Sequence, residues 1–283
     1  MIHDFLSTWD LFANTYMAGW LVAALLSLVG VIVVARNQVF AGAALAQAST
    51  LGIALAMLAG AIVGGRTREA VESGGVVTGV AVGVSILAAL LTMRSGQALR
   101  ESREAITGWL FLLGASGSIV VVSHSPHGLE EVQRLLSSSI IGASGLDVWV
   151  FAILLVLTAV IVARWWRTIL LWVMDPATAA AAGVRVGRLE IVVAAWLGVC
   201  VGLSLRSAGL LYSFGMLVLP ALCAKALVRE VRSLFWVAPV VGVGAAIAGF
   251  VVANGYDYPP AQLTVFGLCG LLAVAWCVRG LRR

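Results

Sequence analysis

Few side chains in this chain could do chemistry, and the densest group of them is SHSPHGLEE, with His124 and His127 three residues apart and Glu130 and Glu131 just behind. Imidazoles at that spacing beside carboxylates could hold zinc or manganese at an entrance. The Pro126 turn leaves their geometry open, and solvated loop histidines are a second reading of the same residues. Gln47 is the other polar point, a lone amide inside AALAQASTLG, residues 43–52. On a helix Ala43, Gln47 and Thr50 share one face, so Gln47 is either a weak polar contact for something passing or a hydrogen-bond donor to a neighbouring helix. Cys200, Cys223, Cys269 and Cys277 lie in apolar stretches without CxxC spacing and read as small apolar residues. Met216 with Cys200 and Cys223 could line a soft path for a thiophilic ion, although such residues at helical spacing usually pack.

Several kinds of chemistry are missing. No HExxH occurs, and no serine is paired with a general base inside an apolar stretch, so an embedded enzyme is not indicated. Carboxylates within the apolar stretches are too few for a proton relay. No GxxxxGK[ST] loop occurs, and the lone lysine, Lys225, sits in LCAKALV with no glycine loop before it. The chain cannot hydrolyse ATP by itself.

The elements that must position these residues follow from composition. The chain is 61% hydrophobic and 11% charged, far from a soluble domain, and its mean hydropathy is +1.05. This predicts an all-α, polytopic transmembrane bundle. Windows of about 20 residues, the length that crosses the hydrocarbon layer, give nine spans near 15–35, 39–64, 75–93, 105–123, 147–166, 188–205, 208–227, 234–253 and 261–279. Only Arg206 and Ser207 separate the sixth and seventh, which could form a hairpin or one broken helix. The start, MIHDFLSTWDLF, has no basic region or cleavage site and reads as an interfacial segment, not a signal peptide.

The cations orient the bundle. With the N-terminus outside, the inner side carries Arg36, Arg94, Arg100, Arg103, Arg164, Arg167, Arg185, Arg188, Lys225, Arg229, Arg232, Arg279, Arg282 and Arg283, fourteen of the 18 basic residues. The outer side keeps Arg66, Arg68, Arg134 and Arg206, so the positive-inside rule predicts N-out, C-in. The net charge of +5 reflects this topology and implies no nucleic-acid partner.

Two further segments stand out. In RTILLWVMDPATAAAAGVRVGRLE, between the fifth and sixth spans, Asp175 is a predicted N-cap, Pro176 the first helical residue and Gly183 the residue past the end. A short capped helix flanked by arginines could dock into another protein or lie on the membrane as a connector. In RSAGLLYSFGMLVLPALCAKALVRE, Pro220 interrupts a helix already rich in glycine and serine, the composition of a path-lining helix or of a packing kink.

The order FAGAALAQASTLGIALA, MDPATAAAAGV, SAGLLYSFGMLVLPALCAKAL and YDYPPAQLTV resembles the membrane permease of the ABC-3 family of ABC importers for zinc, manganese or iron. The likeness runs from about residue 15 to 280 and treats residues 1–283 as a single transmembrane permease domain. It implies a multi-pass homodimer in a bacterial inner membrane and a separate cytoplasmic ABC ATPase in two copies that uses the ATP. It also implies an extracytoplasmic substrate-binding protein that delivers a divalent metal ion, zinc first, then manganese or iron, with no permanently bound cofactor. The segment of about 174–186 looks like the coupling helix that enters the ATPase cleft, with Asp175, Pro176, Ala179, Gly183 and Arg185 as its residues. The outer segments around His124 to Gly145 and Asn254 to Pro260 would face the binding protein, and Ala43, Gln47, Thr50, Ser213, Met216 and Pro220 would line the path.

The chain departs from the family in its second span. Similar permeases carry Asp and His where this one has Ala43 and Gln47. Alanine offers no ligand atom, and a neutral amide offers one carbonyl oxygen, poor for zinc. A metal importer, an ABC permease of the same fold with a non-metal cargo, and a non-transporting scaffold therefore all remain open.

Overall fold

The computed structural model describes residues 9–63, 75–98, 102–123 and 142–281, all in helices and short connections. The helices are α1 (Trp9–Ala35), α2 (Val39–Val63), α3 (Gly75–Ala98), α4 (Arg103–Val122), α5 (Gly145–Arg164), α6 (Trp166–Met174), α7 (Pro176–Ala181), α8 (Val186–Ala208), α9 (Leu210–Leu227), α10 (Val231–Tyr256) and α11 (Pro260–Leu281). Among the described residues nine of them, all but α6 and α7, are long and apolar enough to cross a membrane. This agrees with the nine spans expected from hydropathy. The sixth span continues through Arg206 and Ser207 to Ala208, and the break falls at Gly209, whose φ of 78° is open chiefly to glycine.

The chain divides into two compact units. One comprises Met1–Gln38, Ser139–Val186 and Leu211–Arg283, and the other Val39–Ser138 and Gly187–Leu210. In the first, α1 packs on α5 and α10, α10 packs on α11, and α6 touches α1, α5, α7 and α10. In the second, α2 packs on α3 and α4, and α3 packs on α4.

Glycine makes these approaches possible. Lipid tails are as apolar as leucine, so helices in a membrane associate by close packing, and small residues let backbones meet. In the first unit Gly30 of α1 lies against the Leu217 carbonyl of α9, and a Cβ added there would overlap it. Gly242 of α10 lies against Ser27 of α1 and the Pro220 ring of α9, so the proline sits in a space that a larger residue would fill. Tyr212 of α9 is fully buried and donates to the Gly19 carbonyl of α1 at 2.9 Å. In the second unit a Cβ at Gly114 of α4 would stand 2.5 Å from the Gln47 carbonyl carbon of α2. Gly198 of α8 meets the backbone of Ile86 in α3 in the same way, with 2.8 Å to its Cα.

Several hydroxyls inside the spans are satisfied within their own helices. Thr50, Thr158, Ser204 and Thr264 each donate to the carbonyl four residues earlier, at 3.0, 2.7, 2.7 and 2.7 Å. That bond lets a polar side chain enter hydrocarbon without an unpaired donor.

The glycine contacts predict opposite outcomes for one chemical change. Gly114→Ala should cost about 1–3 kcal/mol by overpacking, because the atoms it meets are backbone and cannot rotate away. Gly79→Ala in α3 meets nothing within 4 Å and should be neutral or raise stability by roughly 0.5–1 kcal/mol. Melting curves of the detergent-solubilised variants check both signs.

Candidate functional site

The segment after the fifth span folds into two short helices joined at one residue. α6 ends at Met174, Asp175 is extended at φ −149°, ψ 99°, and α7 begins at Pro176. Pro176 has the fixed φ of a first helical residue and lacks only an N–H that would be unpaired there anyway. The Asp175 carboxylate accepts from the backbone N–H of Ala177 at 2.9 Å and Thr178 at 3.3 Å, and from the Thr178 hydroxyl at 2.5 Å. Those donors, the Thr178 hydroxyl foremost, hold its carboxyl below the ordinary value of 3.8.

The other end of α7 closes just as tightly. The Val184 N–H donates to Ala179 and the Gly183 N–H to Ala180, each at 3.0 Å, with Gly183 at φ 84°. This paired closure needs a left-handed residue just past the helix. Ala179 is fully buried, whereas Asp175, Gly183, Arg185 and Arg188 are exposed. α7 therefore anchors one methyl inward and presents a small, capped, outward face.

The residues expected along a path lie in both units. In the second unit Ala43 and Thr50 of α2 are buried, and Gln47 between them is only 9% exposed. α4 crosses the α2 backbone at Gln47 and Ala48 through Gly114. In the first unit Ser213, Met216 and Pro220 of α9 are all buried, and the Ser213 hydroxyl has no partner among the described residues. The Ser85 hydroxyl of α3, which the sequence did not single out, is likewise buried and without a partner among the described residues. His124, His127, Glu130 and Glu131 lie outside the described residues.

The Asn254–Pro260 segment borders a pocket of about 220 Å³ lined by Phe12, Tyr16, Phe250, Asn254, Asp257 and Tyr258 among others. Asp257 closes α10 at φ 55°, and Tyr16 donates to the Asn254 Oδ1 at 3.2 Å. The start of the chain, with Trp9 and Phe12, reads from sequence only as an interfacial segment. In the fold the rings of Tyr16 and Phe250 stand 6.0 Å apart and build the pocket wall.

Residues 8–279 match the ABC 3 transport family. The chain belongs to that family. It is therefore a multi-pass membrane permease, the non-catalytic membrane component of an ABC transporter. The permease is 23% identical over 273 residues to the manganese transport system membrane protein MntC of Halalkalibacterium halodurans, covering 96% of this chain and 89% of that one. It is 21% identical over 260 residues to the manganese import system permease protein ScaB of Streptococcus gordonii, covering 91% and 85%. Its fold is similar to the solved structure of PsaBC from Streptococcus pneumoniae in complex with Fab, with a TM-score of 0.81, 15% identity and coverage of 98% and 95%.

The Asp175 cap carries a pH prediction. Its carboxyl is lowered in the folded state, so its stabilisation is complete above the ordinary value of 3.8 and is lost as pH falls through the lowered one. Hydrogen exchange at Ala177 and Thr178 should thus stay constant from neutral pH down to about 4 after correction for intrinsic rates, and open only below that. Asp175→Ala should show the open state at all pH values, and Asp175→Asn should retain most of the protection without the acid transition.

Proposed function

We propose that this permease imports a divalent first-row transition metal across a bacterial cytoplasmic membrane. It works as a homodimer, receives cargo from an extracytoplasmic binding protein, and is driven by two copies of a cytoplasmic ABC ATPase that dock on α7. The observation that carries the ATPase reading is the geometry of α7: capped by Asp175, closed at Gly183, exposed on its outward face and flanked by Arg185 and Arg188. The manganese systems to which MntC and ScaB belong support a metal cargo and weigh manganese above the zinc put first by the family resemblance.

Gln47 supports transient coordination. A buried amide costs about 1–3 kcal/mol wherever its hydrogen bonds go unmade, a cost that water or a passing ion would offset. Its carbonyl oxygen suits manganese, a hard cation, better than zinc. Arg185 and Arg188 secure α7 against the ATPase or anionic headgroups, and Gly209, Gly215 and Pro220 give α9 close packing and bending. The pocket of Phe12, Tyr16 and Asp257 would face the binding protein. Movement of α7 on ATP-driven closure would then tilt the spans between outward and inward openings.

A second reading, a non-metal cargo, draws on one observation: Ala43 and Gln47 present neither carboxylate nor imidazole. A binding partner purified with manganese, iron or zinc in its pocket removes that reading, and one purified with an organic ligand adopts it.

Proteoliposomes holding the permease, its ATPase and its binding protein should take up manganese(II) when ATP is added. Failure to take up manganese, iron or zinc removes the metal reading. Gln47→Ala should lower manganese uptake roughly two- to tenfold, the worth of one neutral hydrogen bond, with the melting temperature unchanged. A lowered melting temperature with unchanged uptake would assign Gln47 to packing instead.

A further inference from the structure

Pro176 has a second consequence upstream. In a continuous helix the N–H of residue 176 would bond the carbonyl of Trp172, and proline has none to give. The Asp175 N–H pairs with Leu171 at 2.9 Å, and the Trp172 carbonyl receives Arg36 Nη1 at 3.4 Å. The same guanidinium lies over the Trp172 indole, with Cζ 4.5 Å from the ring centroid. Trp172 is fully buried in the last turn of α6, so the ring has no freedom to follow a moving arginine.

Arg36 is held as firmly from its own side. α1 closes with the Asn37 N–H on Val34 at 3.2 Å and the Gln38 N–H on Val33 at 2.9 Å, Asn37 taking the left-handed φ of 54°. Arg36 thus projects from a defined helix end onto a defined ring, three residues before the cap of α7. A topogenic cation needs none of this geometry, because the positive-inside rule asks only for charge.

We propose that Arg36 is a positioning residue that couples α7 to the first span. Displacement of α7 reaches α1 through the ring and carbonyl of Trp172, and passes from α1 to α5 and α10, on which it packs. Without Arg36 the elbow between α6 and α7 flexes while α1 stays behind. The inference rests on the docking role of α7 proposed above.

The test uses the permease with its ATPase and binding protein in proteoliposomes, read as manganese(II) moved per ATP hydrolysed. This ratio belongs to assembled transporters and does not follow yield. Arg36→Gln and Trp172→Leu should each lower it about fivefold or more, as expected for losing a partly buried cation–π contact, the main-chain carbonyl of residue 172 staying in place in both. The double variant should be no worse than the weaker single, because both remove one interaction. Arg36→Lys keeps the charge but not the planar fork and should fall between. An unchanged ratio in Arg36→Gln, or a double-variant loss equal to the product of the singles, overturns the proposal.

If Arg36→Gln does not assemble, Arg36→Lys and Trp172→Phe carry the test: lysine lowers the ratio and phenylalanine keeps it, and the reverse order overturns the proposal. A cargo-independent readout is the ATP-induced change in hydrogen exchange at the outer end of α1, which should vanish in Arg36→Gln; its persistence also overturns the proposal. Asp175→Ala and Gly183→Val separate the two levels. If they uncouple transport and the Arg36 variants do not, only the Arg36 link falls; if they too leave coupling intact, the docking role of α7 falls with it.

Discussion

A backbone carbonyl that loses its helical partner inside a bilayer has no water to turn to, and each such group costs several kcal/mol. That constraint explains why the described residues of this permease form helices, and it marks the few places where the chain departs from them. Gly209 ends α8 with a left-handed residue, and α9 restarts at once. Pro220 withholds an N–H within α9 and is accommodated by Gly242 opposite its ring. Pro176 withholds one at the elbow, and Arg36 supplies the donor. The breaks are as specified as the helices.

The second consequence of lipid as solvent is that burial of apolar area cannot hold one helix to another. Close contact must do so, and it runs through glycine in both units: Gly30, Gly215 and Gly242 in the first, Gly52, Gly114 and Gly198 in the second. Several hydroxyls that would otherwise be unpaired fold back onto the preceding turn. The Ser85 hydroxyl in the second unit and the Ser213 hydroxyl in the first are buried without a partner among the described residues.

The segment proposed to dock the ATPase and the span proposed to line the path rest on different features. Every backbone feature that shapes α7 is in place: the cap at Asp175, the proline start and the glycine stop. The second span, by contrast, has Ala43 and Gln47 where the family resemblance implies Asp and His, and Gly114 of α4 lets the two helices cross there. Packing tolerates that exchange because alanine and glutamine need only fit, whereas coordination depends on the donor atoms themselves.

Read alone, the sequence determined the class, the number of spans and the caps of α7, because each follows from local composition or from residues within five positions of one another. The break at Gly209 was legible in kind but displaced by three residues, since Arg206 and Ser207 are polar enough to look like an end and still helical enough to continue. Pro176 four residues after Trp172 announced an unpaired carbonyl, yet nothing local named Arg36, 136 residues earlier, as its donor. The crossing of α2 by α4 at Gln47 and the pocket wall of Tyr16 and Phe250 were likewise decided by tertiary structure. Each depends on which helices meet, and in a uniformly apolar chain periodicity does not distinguish the face that meets a neighbour from the face that meets lipid.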